Sequence, residues 1–228
     1  MVLRIGSLLF YPQSLMLPLA AIFFVVIARA RLRLQLERSE GGIWLGLACS
    51  ALFAAAASWF WNDHGDPSAL IGGQSSLAAY WGCFAGVGLW AFLRRCGVRA
   101  AANAIAPGVM AGGAVARLGC VFAGCCQGST SLPMFTLWPA FDIGALTVAL
   151  AVGLKLEKRR ADGPLLAFLL VYGLLRFALE FARPAPALLL GLSAPQMLAA
   201  AQAAAGFAIL CFAESKANVG RDKKLQRI

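Results

Sequence analysis

Apolar stretches of roughly bilayer-spanning length recur seven times along this chain, separated by short polar or basic segments. They run approximately over Leu8–Ala28, Ile43–Trp61, Leu77–Leu93, Ala100–Val121, Trp138–Leu154, Pro164–Phe181 and Ala194–Phe212. An α-helix needs about 20 apolar residues to cross the hydrocarbon core. With 61% hydrophobic and only 13% charged residues, the chain has too little polar surface to coat a globule, since soluble domains carry about 25% charged residues. Most of its exterior must therefore face lipid, where every backbone polar group has to be satisfied internally. The expectation is an all-α, polytopic membrane protein with about seven transmembrane helices. No soluble domain, repeat or low-complexity linker is visible, so residues 1–228 read as a single integral membrane domain.

A net charge of +10 would suggest nucleic acid as partner in a soluble protein. Its distribution argues otherwise. The basic residues gather in four segments: Arg29, Arg31, Arg33 and Arg38; Arg94, Arg95 and Arg99; Lys155, Lys158, Arg159 and Arg160; and Lys216, Arg221, Lys223, Lys224 and Arg227. Only Arg4, Arg117, Arg176 and Arg183 fall elsewhere. These segments occupy alternate connectors, so one face of the membrane receives them all. The positive-inside rule makes that face cytoplasmic, with the N-terminus outside and the C-terminus inside. The basic segments thus serve orientation and contact with anionic headgroups, and no nucleic-acid partner is expected. Ala28-Arg29-Ala30 superficially resembles a signal-peptide cleavage site, yet the arginines follow the apolar run rather than precede it. The first span is expected to be a retained helix.

Ionisable residues inside a span carry the sharpest functional signal, because each costs roughly 2.5–3.5 kcal/mol or more at the bilayer centre. Arg117 lies between the apolar runs Ala100–Ala116 and Leu118–Ala123, and Arg176 and Glu180 lie in the sixth stretch, with Arg183 at its outer end. Positions i, i+4 and i+7 share one helical face, so Arg176, Glu180 and Arg183 project together. Glu180 can hold either guanidinium in a fixed orientation. A guanidinium's planar fork of donors matches phosphate oxygens. Arginines at a common depth near the outer leaflet fit either a pocket for a phospholipid headgroup or an interhelical salt-bridge cluster without ligand.

The segment Arg117–Gly128 is also unusual, with Gly119, Gly124 and Gly128 allowing close backbone approach or a departure from the helix. Irregular backbone at membrane depth is tolerated only beside protein or a water-filled cavity. In the third stretch Gly82 and Gly86 form a small-xxx-small pair, which reads as helix packing. Of seven cysteines, Cys49, Cys83 and Cys211 sit in apolar runs as small core residues, and Cys96 lies in a basic connector where reduction is expected. Cys120, Cys125 and Cys126 admit four readings: small side chains standing in for polar ones, a disulfide, a reactive thiol beside arginines, or a metal site. Three cysteines match a four-ligand zinc site incompletely, and neither a metal nor a cofactor is expected.

Two stretches resemble the bacterial prolipoprotein diacylglyceryl transferases. Arg117-Leu118-Gly119 through Gly124 and Gly128 is similar to the family's signature segment. Tyr172-Gly173-Leu174-Leu175-Arg176-Phe177-Ala178-Leu179-Glu180-Phe181-Ala182-Arg183-Pro184 is similar to its late motif, with Arg, Glu and Arg in the family's spacing. The region from Gly72-Gly73 to Arg95 resembles the part holding the family's His-Gly-Gly motif, but this chain reads Trp81-Gly82-Cys83 there. Cys120 and Cys125 stand where the family signature has Asn and Glu. The only histidine, His64, falls in the external connector and reads as a solvated loop residue.

The resemblance implies a multi-pass protein of the bacterial cytoplasmic membrane. Its activity would be transfer of a diacylglyceryl group from phosphatidylglycerol to the lipobox cysteine of a preprolipoprotein, with release of glycerol phosphate. By that resemblance Arg117, Arg176 and Arg183 hold the substrate phosphate and Arg117, Arg176 and Glu180 carry catalysis; Tyr80, Trp81 and Asp142 are further candidates for substrate binding, which the resemblance does not supply. An anionic phospholipid and a preprolipoprotein acceptor are the expected partners, among surrounding membrane lipids. The incoming nucleophile needs a base; Asp142 and Tyr80 are the residues to test, Asp142 being also a natural structural partner for an arginine. Two other functions stay open. One is an inactive phospholipid-binding homologue, the other a thiol redox or metal-handling protein built on Cys120, Cys125 and Cys126.

Overall fold

The computed structural model describes residues 3–5, 8–10, 12–36, 39–62, 76–123, 138–181 and 191–225. A three-residue antiparallel hairpin, β1 (Leu3–Ile5) and β2 (Leu8–Phe10), pairs Leu3 with Phe10 and Ile5 with Leu8. The regular elements described after it are helices: α1 (Pro12–Leu36), α2 (Glu40–Asn62), α3 (Ser76–Leu93), α4 (Val98–Ala123), α5 (Trp138–Glu157), α6 (Gly163–Glu180) and α7 (Ala194–Leu225). Each contains a segment long and apolar enough to cross a membrane, which makes seven such spans among the described residues. The protein is a multi-pass membrane protein.

The helices differ from the sequence reading in three places, two of them at span ends. The first helix starts later and ends later than Leu8–Ala28. Leu8–Phe10 pairs in the hairpin, and Pro12, whose fixed φ suits a first turn, opens α1. The helix then continues through Arg29, Arg31 and Arg33, because arginine and leucine are good helix formers and the charged tips find partners. Arg29 and Arg33 reach Glu40 of α2 at 3.0 and 3.3 Å, and Arg31 pairs with Glu157 at the end of α5. At the other end of the chain, α7 runs past Phe212 to Leu225. Hydropathy marks the edge of lipid; helix propensity does not stop there. The third difference lies inside α6, where Phe168–Tyr172 winds as a π-turn between α-helical halves Gly163–Ala167 and Gly173–Glu180.

Helices α4 and α6 form the centre: 61% of each span is buried, against 17% for α1. Small residues let α4 take that place, since Ala101, Ala104, Ala106, Gly108, Gly112 and Gly113 line it and neighbouring backbones approach closely. Helix α1 lies along α4, and α2 lies along α3. At the second contact, a Cβ on Gly82 would sit 2.4 Å from the Phe53 carbonyl oxygen, and one on Gly86 would sit 2.4 Å from that of Cys49. The glycine pair is a packing device, as its spacing suggested.

Polar side chains fasten one end of the bundle. Asp162, at the start of α6, accepts from Arg160 at 3.3 Å and from Arg99 of α4. Asn103 of α4 donates to the Ala161 carbonyl at 2.7 Å and accepts from the Leu165 amide at 3.0 Å. Burial alone would raise the Asp162 carboxyl, but hydrogen bonds and charge from Arg99 and Arg160 outweigh it and hold it below the usual carboxylate range. The basic connectors α1–α2 and α5–α6 and the start of α4 thus meet at the same end. Helix α7 begins with a capping box, in which Ser193 N–H donates to the Gln196 side chain at 2.7 Å and Gln196 N–H donates back at 3.4 Å.

Candidate functional site

Arg117 lies eighteen residues along α4 from Arg99, so about 27 Å away at 1.5 Å per residue. It stands at the opposite end of the bundle from the basic cluster. Its neighbour Leu118 is 39% exposed towards lipid while Arg117 is 5% exposed, so the guanidinium points inward. What it meets is on α5. Arg117 Nε lies 2.6 Å from Asp142 Oδ2, and Arg117 also donates to the Ser76 hydroxyl at the start of α3. Cys120, one turn further on and buried, places its Sγ 4.0 Å from Arg117 Nη1.

Asp142 is the hub. Its second oxygen lies 3.6 Å from Arg176 Nη1 on α6 and accepts from the Tyr172 hydroxyl at 3.2 Å. Arg176 continues to Glu180, one turn on, at 3.1 Å. Trp138, four residues before Asp142 and so on the same face of α5, is fully buried and donates its indole N–H to the Leu179 carbonyl at 3.1 Å. Both guanidiniums lie over its ring, with Cζ of Arg176 4.3 Å and Cζ of Arg117 5.1 Å from the centroid. The indole's negative face supplies attraction to cations that have been taken out of water, of order 2 kcal/mol when desolvated. Three helices therefore deliver two guanidiniums to one carboxylate and one aromatic plate.

The described cluster is formally neutral: Arg117 and Arg176 against Asp142 and Glu180. That balance explains how four ionisable side chains, each 5% exposed or less, persist at membrane depth. It also defines what the cluster can do. Each guanidinium reaches Asp142 through one nitrogen, Arg117 Nε and Arg176 Nη1, and a phosphate would offer these forks more acceptor oxygens than the carboxylate does. An incoming phosphate would compete with Asp142 for the same donors.

The sequence-predicted residues fall into four groups. Arg117, Arg176, Glu180 and Asp142 come together. Tyr80 borders them, its ring 6.0 Å from that of Tyr172 and its hydroxyl against Gly113, where an added Cβ would lie 2.5 Å away. Trp81 does not join: its ring meets Phe84 at 6.4 Å, and its indole nitrogen has no hydrogen-bond partner among the described residues. Its place on the helix explains this, since a residue adjacent to Tyr80 projects about 100° away from it. Arg183, Cys125, Cys126 and His64 lie outside the described residues. Trp138 and Ser76 were not anticipated. The i, i+4 spacing of Trp138 and Asp142 was the available signal for the first; nothing in the sequence pointed to the second.

The model of the prolipoprotein diacylglyceryl transferase family matches residues 1–212. The chain belongs to this family. No curated protein matches it. In a prolipoprotein diacylglyceryl transferase the relevant chemistry joins a phospholipid to a lipoprotein in the membrane, so a guanidinium pair that meets a carboxylate inside the bundle stands in a chemically sensible place. Cys120 faces Arg117, and Trp81 packs on Phe84; the resemblance drawn from the sequence implies asparagine and histidine at these two positions in the family.

Proposed function

We propose that the protein transfers a diacylglyceryl group from phosphatidylglycerol to the thiol of a prolipoprotein cysteine in the bacterial inner membrane, as one integral membrane unit. The observation that carries this reading is the convergence of Arg117 and Arg176, from different helices, on Asp142 and the Trp138 ring. The N-terminus lies outside and the basic connectors lie in the cytoplasm, which puts the arginine cluster in the outer leaflet, where lipoprotein precursors emerge.

In this scheme Arg117 and Arg176 bind the phosphodiester of phosphatidylglycerol in place of Asp142, joined by Arg183 from the late motif. The acceptor sulfur attacks the glycerol carbon that carries the phosphate. A C–S bond forms, the C–O bond to phosphate breaks, and the electron pair leaves on the phosphate oxygen of glycerol phosphate. The guanidiniums stabilise the negative charge that grows there. Glu180 orients Arg176, and Trp138 keeps the two forks in one plane of approach. The thiol proton passes to a base, for which the displaced Asp142 carboxylate is the group at hand, with Tyr172 and Tyr80 beside it.

A second reading is favoured by one observation: each carboxylate of the described cluster already has a guanidinium partner. A chain whose carboxylates stay engaged with guanidiniums has none at hand to take the thiol proton, and would bind phospholipid through the remaining donors without turning it over. One experiment separates the two. Purified protein in vesicles is given phosphatidylglycerol with labelled acyl chains and a lipobox peptide. Transfer of label to the peptide, lost in Arg117→Ala and Arg176→Ala, supports the transferase; saturable lipid binding with no transfer supports the binding homologue.

A further inference from the structure

The π-turn at Phe168–Tyr172 is the one departure from α-geometry within the described spans, and it lies immediately before the arginine site. Such turns hold one residue more than an α-turn, have poorer hydrogen-bond geometry, and persist where the surroundings maintain them. The surroundings are on α7. Gln202, fully buried, donates its Nε2 to the Phe168 carbonyl at 2.7 Å. Gly206, one turn further on, brings the α7 backbone against the same turn, since a Cβ there would lie 2.8 Å from Leu169 Cβ and from Leu170 Cγ. At the exit of the turn a Cβ on Gly173 would come within 3.1 Å of the Ala203 nitrogen.

Gln202 is expensive where it stands. Its side-chain oxygen has no hydrogen-bond partner among the described residues, so the carboxamide is half-satisfied at membrane depth. An apolar side chain would suit a span better unless the single bond to Phe168 matters. What that bond controls is rotation. One extra residue turns everything beyond it by about 100° relative to a regular helix. Tyr172, the last residue of the π-turn, donates to Asp142, and Arg176 follows one turn later onto the same carboxylate. Straightening the turn would carry both off the α5 face.

We infer that Gln202 is a positioning residue for the arginine site: by holding the Phe168 carbonyl it maintains the π-turn, and so fixes the angle at which Tyr172 and Arg176 meet Asp142. The effect on transfer rests on the proposed phosphate role of the arginines; the effect on geometry does not. Two variants of the full chain in nanodiscs test it, Gln202→Leu and Gln202→Glu, each followed by transfer kinetics and by hydrogen exchange of peptides along α6. Gln202→Leu is expected to raise KM for phosphatidylglycerol about tenfold with a smaller change in kcat, and to speed exchange selectively over residues 168–176. In Gln202→Glu a protonated side chain can donate to the carbonyl and an ionised one cannot. That variant should therefore acquire a pH dependence absent from the parent, near-parental in acid and resembling Gln202→Leu in base. Parental KM and exchange in Gln202→Leu would overturn the inference, as would faster exchange spread evenly over all spans. If Gln202→Leu does not fold, a flat pH profile of exchange in Gln202→Glu overturns it. If the parent neither transfers nor binds phosphatidylglycerol, the phosphate role fails, and the exchange comparison still decides the role of Gln202.

Discussion

Asp142→Asn probes the competition between carboxylate and phosphate most directly. The substitution keeps the shape of the side chain and removes its charge. Arg176 retains Glu180 at 3.1 Å, whereas among the described residues Arg117 keeps the Ser76 hydroxyl, Cys120, the Trp138 ring and an uncharged amide oxygen in place of its counter-ion. Leaving a buried charge without its counter-ion costs about 3–5 kcal/mol, and the ring and hydroxyl place this case near the lower figure. About 3 kcal/mol corresponds to a fall in Tm of about 6–12 °C for a chain of this size. A phosphate can then occupy the vacated donors without displacing anything. Ligand at a hundredfold excess over its Kd adds about 2.7 kcal/mol, comparable with the loss. Thermal unfolding in neutral detergent should therefore show a destabilised variant that phosphatidylglycerol restores, with a larger lipid-induced shift than in the parent. Diacylglycerol, which has the chains and no phosphate, should restore nothing. Transfer by the variant should fall even with lipid bound, since the carboxylate at hand for the thiol proton is gone. Equal shifts in parent and variant, or restoration by diacylglycerol, would refute the idea that Asp142 and phosphate share the same guanidiniums.

Trp138→Leu removes the ring beneath both guanidiniums and should raise KM for phosphatidylglycerol about tenfold, a loss of roughly 1.4 kcal/mol. Trp138→Phe retains a ring and should cost less than a third of that change in transfer kinetics. Arg117→Lys keeps charge but loses the fork, so a drop in kcat/KM of at least about a hundredfold is expected in the labelled-lipid assay. Gly86→Ala should separate α2 from α3 and lower Tm, whereas Gly144→Ala, which faces open space, should leave it unchanged. Asp162 is held below its ordinary range by Arg99 and Arg160, so its contribution to stability is complete above about pH 4 and is lost as pH falls through its depressed value. The difference in stability between parent and Asp162→Asn should therefore be constant from neutral pH down to about pH 5 and shrink only in stronger acid.

Much of the architecture was legible in one dimension. Lipid demands runs of apolar residues and forbids unpaired backbone, so span number and helical class follow from hydropathy with little help from packing. The alternate placement of basic segments likewise implied that their connectors share one end, where Arg31 meets Glu157 and Arg99 meets Asp162 across helices. The ends of α1 and α7 were less legible, because charge stops a hydropathy run while leaving the helix free to continue.

The site divides along the same line. Sequence alone marked Arg117, Arg176 and Glu180, because an ionisable group in hydrocarbon is costly wherever it sits and the i, i+4 relation of the last two is local. It could name Asp142 without deciding what it touches. Only the packing of α4, α5 and α6 determined that Arg117 and Arg176 share one carboxylate and one indole ring, and that Trp81 is turned away. The π-turn was invisible for a related reason: it depends on a bond from Gln202, thirty-four positions away, to a backbone carbonyl. Hydrophobicity is a property of residues and can be read along a chain; charge pairing and helix rotation are relations between distant residues, and exist only once the helices are packed.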